Sequence, residues 1–214
     1  MRRARDRGFS LIELMAVVLI VGVLAVVAVV AYRKWISTAR MNEATNLISN
    51  IRSAQEAFRS ENGGYLPVSL QYAGAGVATP TTDYPAATPG AFKTQWGADC
   101  PLNICVKANS WRQLAVQPTG TVMYGYAVVA SNDPNATPAD ILVNGSTQSV
   151  SALKGAPWYV VEADGDPTGS GKFTKIFGLS GNNGFLLRGG CPAARSAPDR
   201  VAYPSRGRRA SQPA

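Results

Sequence analysis

The chain has 214 residues, with 21 Lys and Arg against 13 Asp and Glu, three Cys and no His. This length allows one folded domain with appended segments. The lack of His excludes Ser-His-Asp and Cys-His nucleophile pairs and imidazole ligands for a metal. We therefore do not expect an enzyme, and no pattern in the sequence indicates a cofactor.

The net charge of +8 lies mostly at the two ends of the chain. Residues 1–8 contain four Arg and one Asp, and residues 195–214 contain five Arg and one Asp. The rest of the chain is close to neutral and gives no sign of a phosphate-binding surface. The tail 195–214 mixes Arg with Ala, Pro and Ser, which is typical of disorder. Its Arg residues are compatible with weak binding of nucleic acid, but no aromatic stacking pattern accompanies them.

The strongest signal is the apolar stretch 14–31, which has 18 residues and no polar or charged side chain. A helix over 9–32 would be about 36 Å long, enough to cross a hydrocarbon core of about 30 Å. A cleaved secretory signal is the alternative, but the stretch is longer than usual and no A-x-A-like site follows it. Basic residues before the stretch outnumber those after it, which predicts a cytoplasmic N-terminus and an extracytoplasmic remainder.

Two details distinguish this stretch from a plain membrane anchor. Glu13 lies near its start, where an ionised carboxylate is costly in lipid and needs a partner. Cleavage between Gly8 and Phe9 would expose a new α-amino group at the start of the apolar helix. Phe9 and Glu13 are four residues apart, so they share one face of that helix.

The segment 7–15, RGFSLIELM, with the apolar helix that follows, resembles the prepilin N-terminus of type IV pilins and type II secretion pseudopilins. The resemblance implies that a prepilin peptidase cuts after Gly8 and that Phe9 becomes N-methylated. It also implies that Glu13 meets the positive N-terminus of a neighbouring subunit during assembly, and two costly charges become tolerable when they pair. The implied partners are homologous pilin subunits, the peptidase and an inner-membrane assembly machinery with an external motor ATPase, because the chain has no nucleotide-binding loop.

The N-terminal segment is compatible with three functions. The first is a major or minor structural subunit of a type IV pilus, which would start in the inner membrane and end in an extracellular filament. The second is a pseudopilin of a type II secretion system, since residues 26–31 lack the Pro that kinks many pilin helices. The third, from another class, is a membrane-anchored extracytoplasmic binding domain that does not polymerise. Glu13 distinguishes assembly from anchoring, because only assembly needs the acid.

Beyond the apolar stretch, apolar residues recur every three or four positions, which predicts that the helix continues. One stripe of this helix should pack on the chain's own domain, while Gln55 and charged residues lie on an opposite, solvated face. The stripe consists of Leu47, Ile51, Ala54 and Phe58. Asn62-Gly63-Gly64 should end the helix, because glycine adopts the left-handed cap conformation.

The remainder predicts a connection followed by a sheet. Pro-rich residues 65–121 read as a long connection rather than a second domain. Segments 122–131, 158–163 and 172–179 have strand patterns, and the Asp- and Gly-rich 164–171 predicts a hairpin loop between the last two. We expect an antiparallel sheet packed on the helix with one buried layer between them, an α+β fold similar to that of pilins. The predicted division is a cleaved leader (1–8), an apolar half-helix (9–32), an amphipathic half-helix (33–64), a variable connection (65–121), a sheet region (122–194) and a basic tail (195–214).

The predicted hairpin loop contains the one weak candidate for a metal site. Asp164, Asp166 and Thr168 alternate like the first ligands of a calcium loop. Lys175 stands where an EF-hand requires Glu, so we favour a plain turn.

Cys100, Cys105 and Cys191 all fall outside the cytoplasm in the predicted topology, which favours a disulfide over free thiols. Three cysteines allow one bridge and one remaining thiol. The resemblance to pilins implies that Cys191 pairs with Cys100 or Cys105, and a local bridge between Cys100 and Cys105 is the alternative.

Overall fold

The computed structural model describes residues 10–72, 83–85, 92–97, 99–143, 146–171, 173–181 and 185–188, the side chains of 142, 143, 146 and 185–188 excepted. One long helix, α1, runs over Leu11–Asn62. It is followed in chain order by β1 (Thr94–Gln95), a short helix α2 (Ser110–Gln113), β2 (Thr121–Val122), β3 (Gly125–Ser131), β4 (Ile141–Val143), β5 (Ser146–Gln148), a 3-10 turn (Ser151–Leu153), β6 (Trp158–Gly165), β7 (Thr174–Leu179) and β8 (Phe185–Arg188).

The end of α1 lies where the sequence predicts it. Gly63 adopts a φ of 76°, and its N–H donates to the Arg59 carbonyl oxygen at 2.8 Å. Glycine adopts this left-handed cap conformation readily, because it has no Cβ atom to clash with the backbone. The helix is therefore continuous from the apolar stretch into the folded domain.

Four strands form the main sheet in the order β3-β6-β7-β8, and all three pairings are antiparallel. The three strands expected from the sequence are confirmed as β3, β6 and β7. The hairpin between β6 and β7 is also confirmed, although β6 extends two residues into the predicted loop, to Gly165. The pairs β1-β2 and β4-β5 and the strand β8 were not predicted, because runs of two to four residues are too short to show an alternating pattern.

The main sheet is buried on both faces, so the expectation of a single buried layer is wrong. Tyr159, Val161 and Ala163 of β6 join α1 in one apolar cluster. Trp158 and Val160, which point to the opposite face, belong to a second cluster with residues such as Ile141 and Val150. Because both faces of the sheet are covered, all eight residues of β6 are buried, including Glu162 and Asp164.

The connection 65–121 contributes to the core as well as linking the helix to the sheet. Tyr84 forms an antiparallel bridge with Tyr126 of β3. Its ring lies 5.0 Å from that of Trp96 and 6.0 Å from that of Trp111, and the two Trp rings are 5.1 Å apart. Aromatic contacts at these distances hold the connection against the sheet edge. A reading as loop alone missed this, because the aromatic residues are widely separated in sequence.

The disulfide joins Cys100 to Cys105, with Cα atoms 5.8 Å apart. The preferred pairing of one of them with Cys191 is therefore wrong, and Cys191 itself lies outside the described residues. A tight turn explains the local bridge, because the N–H groups of Ile104 and Cys105 both donate to the Pro101 carbonyl oxygen at 2.9 Å. The turn folds the chain back and brings the two sulfur atoms together.

Candidate assembly interface

The first half of α1 carries a long apolar surface that no other described part of the chain covers. Every large apolar side chain from Leu11 to Trp35 is between 50% and 77% exposed. Among the described residues, α1 is also the one helix whose length and composition suffice to cross a membrane. Such a surface is unfavourable in water, so this half requires lipid or other apolar helices around it.

Glu13 lies exposed in the first turn of this helix. Its N–H donates to Ser10 Oγ at 3.3 Å, and its carboxylate oxygen Oε2 accepts from the Ser10 N–H at 3.4 Å. This reciprocal capping box satisfies two N–H groups at the start of the helix. A negative charge there is also favoured by the helix dipole. Gly8 and Phe9, the predicted cleavage and methylation positions, lie outside the described residues.

Charged side chains mark the point where α1 meets the folded domain. The Glu43 carboxylate accepts from the Met123 N–H at 3.0 Å and from Lys93 Nζ at 3.2 Å. Arg40, one turn earlier, donates to the Pro167 carbonyl oxygen. Thus the helix is attached to its domain from about residue 40 onward and projects from it before that point.

The second half of α1 packs on the sheet much as predicted. Leu47 and Ile51 of the expected stripe are buried, and Ala54 and Phe58 are partly buried against the same cluster. Gln55, expected on the solvated face, is instead fully buried. Its amide donates to the Leu66 carbonyl oxygen at 2.7 Å and accepts from the Leu66 N–H at 3.0 Å.

The Gln55 amide thus satisfies the backbone N–H and carbonyl group of Leu66, which lies just beyond the end of α1. The spacing of apolar residues cannot predict such a contact, because the buried side chain is polar.

The hairpin loop has the geometry of a hydrogen-bonded turn. The Asp166 carboxylate accepts from the Thr168 N–H and hydroxyl, both at 3.1 Å, and from the Gly171 N–H at 2.6 Å. Burial acts to raise the pKa of Asp166, but the N–H donors of Gly171, Ser170 and Thr168 and the Thr168 hydroxyl outweigh it, so the pKa is lowered.

Asp164, the other carboxylate of the calcium candidate, faces Lys175 Nζ at 3.1 Å. In the part of the chain that the structure describes, no group of three or more Cys, Asp or Glu side chains is placed to hold a metal. The candidate ligands therefore serve a turn and an ion pair.

Comparison with known proteins points to the same N-terminal segment. Residues 3–29 match the family described as the prokaryotic N-terminal methylation motif. The fimbrial protein EcpC of Eikenella corrodens is 40% identical over 58 residues, which are 27% of this chain and 38% of that protein. The type IV major pilin protein PilA of Myxococcus xanthus is 41% identical over 61 residues, 28% of each chain. The type IV major pilin protein PilE1 of Neisseria gonorrhoeae is 39% identical over 78 residues, 36% of this chain and 46% of that protein.

The similarity spans less than half the length of each of these relatives. No solved structure matches the chain. The methylation motif, the long apolar helix and the small antiparallel sheet nevertheless occur together in the arrangement expected of a pilin. In its N-terminal half-helix and its α+β architecture, the chain is thus similar to type IV pilins.

Proposed function

We propose that this protein is a structural subunit of a type IV pilus that polymerises through the exposed half of α1. In this proposal a prepilin peptidase removes residues 1–8, Phe9 is N-methylated, and the protein has no catalytic role. The observation that carries the proposal is the division of one helix into a half that anchors the folded domain and a half whose apolar surface is exposed.

The exposed half can be accommodated in two environments. Before assembly, an apolar helix of this length lies in the bilayer, with the basic residues of 1–8 on the cytoplasmic side. In a filament, the same surfaces pack against identical helices of neighbouring subunits, which removes them from water just as lipid does. Transfer between the two states needs no change in the domain, because the described part of the domain packs on the second half of α1.

The charge of Glu13 is less costly in the filament than in the bilayer. Among the described residues, the partner of its carboxylate is the local cap at Ser10, and burying an ionised carboxylate in a membrane is costly. In a filament, the new α-amino group at Phe9 of a neighbouring subunit provides an opposite charge. Pairing makes both charges tolerable, while removing either leaves the other stranded. Glu13 thereby favours the assembled state and sets the axial position of one subunit relative to the next.

The proposal places homologous pilin subunits, the peptidase and a motor-driven inner-membrane machinery as partners. The relatives are named as pilins and fimbrial proteins, which supports a surface pilus over a secretion pseudopilus. A pseudopilin would follow the same assembly steps but remain in the periplasm.

The test compares filaments sheared from cells with the membrane fraction, using mass spectrometry of the N-terminus. The wild type should begin at N-methyl-Phe9 in the sheared fraction. Glu13→Gln removes the charge at constant shape and should leave the protein in the membrane. Ser10→Ala is the matched control, since it removes the Ser10 hydroxyl that caps the helix but keeps the acid, and it should still assemble.

Assembly of Glu13→Gln at the wild-type level would contradict the role of the charge. A wild type that retains residues 1–8 and never leaves the membrane would favour the anchored binding domain. Processed protein found only in periplasmic filaments would favour the pseudopilin.

A further inference from the structure

A lysine and two carboxylates are enclosed together in the second apolar cluster of the domain. Lys175 of β7 is 1% exposed, and Glu162 and Asp164 of β6 are fully buried. Lys175 Nζ lies 3.0 Å from Glu162 Oε1 and 3.1 Å from Asp164 Oδ2. The amine of one strand is thus in direct contact with two carboxyl groups of the next strand.

The strand register brings these groups together. Asp164 pairs directly with Lys175 in the antiparallel ladder between β6 and β7. Glu162 lies two residues earlier on β6, so its side chain emerges on the same face of the sheet. Residues directly opposite each other across a ladder have Cβ atoms about 5 Å apart. The side chains of Asp164 and Lys175 can therefore be joined without moving either strand.

A third acid lies close to this group. Asp83 is fully buried, and neither of its carboxylate oxygens has a hydrogen-bond partner among the described residues. Burial, together with the nearby charges of Glu162 and Asp164, raises the pKa of Asp83 well above its ordinary value. Asp83 thus adds a third carboxyl group to the same buried region.

We propose that Lys175 and Asp164 become joined by an intramolecular amide bond, with Glu162 as the proton relay. Lys175 Nζ gives a proton to Glu162 and attacks Cγ of Asp164. A C–N bond forms, one C–O bond of the Asp164 carboxyl breaks, and the oxygen leaves as water. Of the three ammonium protons, one stays on the amide nitrogen and two leave on the oxygen. Nothing is oxidised or reduced, and no co-reactant is consumed.

The buried position makes the two reacting charges costly. Burial alone acts to lower the pKa of Lys175, but the neighbouring Glu162 and Asp164 outweigh it and raise the pKa. The two carboxylates thus hold the amine as an ammonium, and its proton must pass along the hydrogen bond to Glu162 before the nitrogen can attack. Amide formation replaces two buried charges by one neutral group, which removes their desolvation cost. The buried position also keeps out the water that would reverse the reaction.

The test is a tryptic digest of the full-length wild-type protein, followed by mass spectrometry. Trypsin does not cleave after an acylated lysine. The proposal therefore predicts that peptide 173–188 remains intact at Lys175 and is joined to peptide 155–172, with a total mass lower by one water molecule. Fragmentation should locate the branch at Asp164. Separate peptides 173–175 and 176–188 would overturn the proposal, and a branch at Glu162 would overturn the assignment of Asp164.

Three variants separate a covalent bond from an ion pair. Lys175→Arg keeps the buried positive charge but should give no joined peptides. Asp164→Asn should give joined peptides of the same mass as the wild type, because its reaction releases ammonia instead of water. Glu162→Gln keeps the size of the side chain but should slow bond formation by about 100-fold or more, since the proton relay is lost. Joined peptides in Lys175→Arg, or an undiminished rate in Glu162→Gln, would contradict the mechanism. Circular dichroism of each variant shows whether it has folded, and the wild-type digest decides the proposal without any variant.

Discussion

The two halves of α1 have the same backbone geometry and opposite surroundings. From Leu11 to Trp35 the large apolar side chains are exposed, whereas Ala44, Ile48 and Ile51 are completely buried against the sheet. Both halves are rich in apolar residues, so hydrophobicity alone does not distinguish them. The difference lies in what the rest of the chain covers. One half packs against the folded domain, and the described residues leave the other half uncovered.

The most severe test of this comparison removes a buried apolar side chain from the second half. We expect Ile48→Ala to lower the free energy of unfolding by about 2–5 kcal/mol, because it leaves a cavity against the sheet. Val21→Ala, in the exposed half, should change it by less than about 0.5 kcal/mol. Denaturant unfolding of the detergent-solubilised protein, followed by tryptophan fluorescence, measures both. Equal losses would mean that the exposed half also stabilises the domain.

The contact between α1 and β7 can be tested from the sheet side. A Cβ at Gly178 would lie 2.8 Å from Ile48 Cγ2 and 3.0 Å from Arg52 Cδ. Gly178→Ala should therefore lower the free energy of unfolding by about 1–3 kcal/mol through overpacking. The matched control is Gly120→Ala, whose new Cβ would have no atom within 4 Å. Combining Gly178→Ala with Ile48→Ala should cost less than the sum of the two, because the second change makes room for the first. Strict additivity would show that the two residues do not share this contact.

The disulfide should stabilise the domain without affecting the exposed half-helix. It closes a short loop, with a sequence separation of 5. By the loop-entropy relation, closing a loop of that size raises the free energy of unfolding by about 2 kcal/mol. Replacing both Cys100 and Cys105 by Ser should reduce the free energy of unfolding by that amount and leave membrane partition unchanged. Leu102→Ala, an exposed position inside the loop, is the control. Loss of membrane partition in the double variant would show that the halves are not independent.

The smallest effect is expected at the hairpin turn, and it should depend on pH. The folded-state pKa of Asp166 lies below its ordinary value of 3.8. Its stabilising contribution is therefore present above that pH and is lost as the pH falls through the folded-state pKa. Asp166→Asn should lower the free energy of unfolding by about 1 kcal/mol at neutral pH, and the difference from the wild type should shrink in acid. Denaturant unfolding at neutral and at acidic pH measures this difference, and Asp140→Asn, at an exposed position, is the control. A difference that grows in acid would contradict the sign.

Much of the fold could be predicted because it follows from local patterns. The apolar run, the three- and four-residue spacing and Gly63 together predict the course of α1, since helix periodicity and capping depend on neighbouring residues. The strands β3, β6 and β7 have enough length to show alternation. The segment 7–15 was sufficient to suggest a resemblance to pilins, because a short linear motif can be recognised without knowledge of the fold.

Contacts between distant residues could not be predicted in this way. The burial of Gln55 depends on the path of the chain at Leu66, and the pairing of Cys100 with Cys105 depends on the turn after Pro101. The aromatic cluster of Tyr84, Trp96 and Trp111 likewise unites residues that are separated by irregular chain.

The amino-acid sequence by itself determined the membrane-length helix, the acid at its start and the methylation motif, because each is encoded by residues that are adjacent along the chain. Only the tertiary structure decided which half of α1 is covered and that the sheet is buried on both faces. It also decided that Lys175, Glu162 and Asp164 meet in a closed site, since register and burial arise when separate segments pack together.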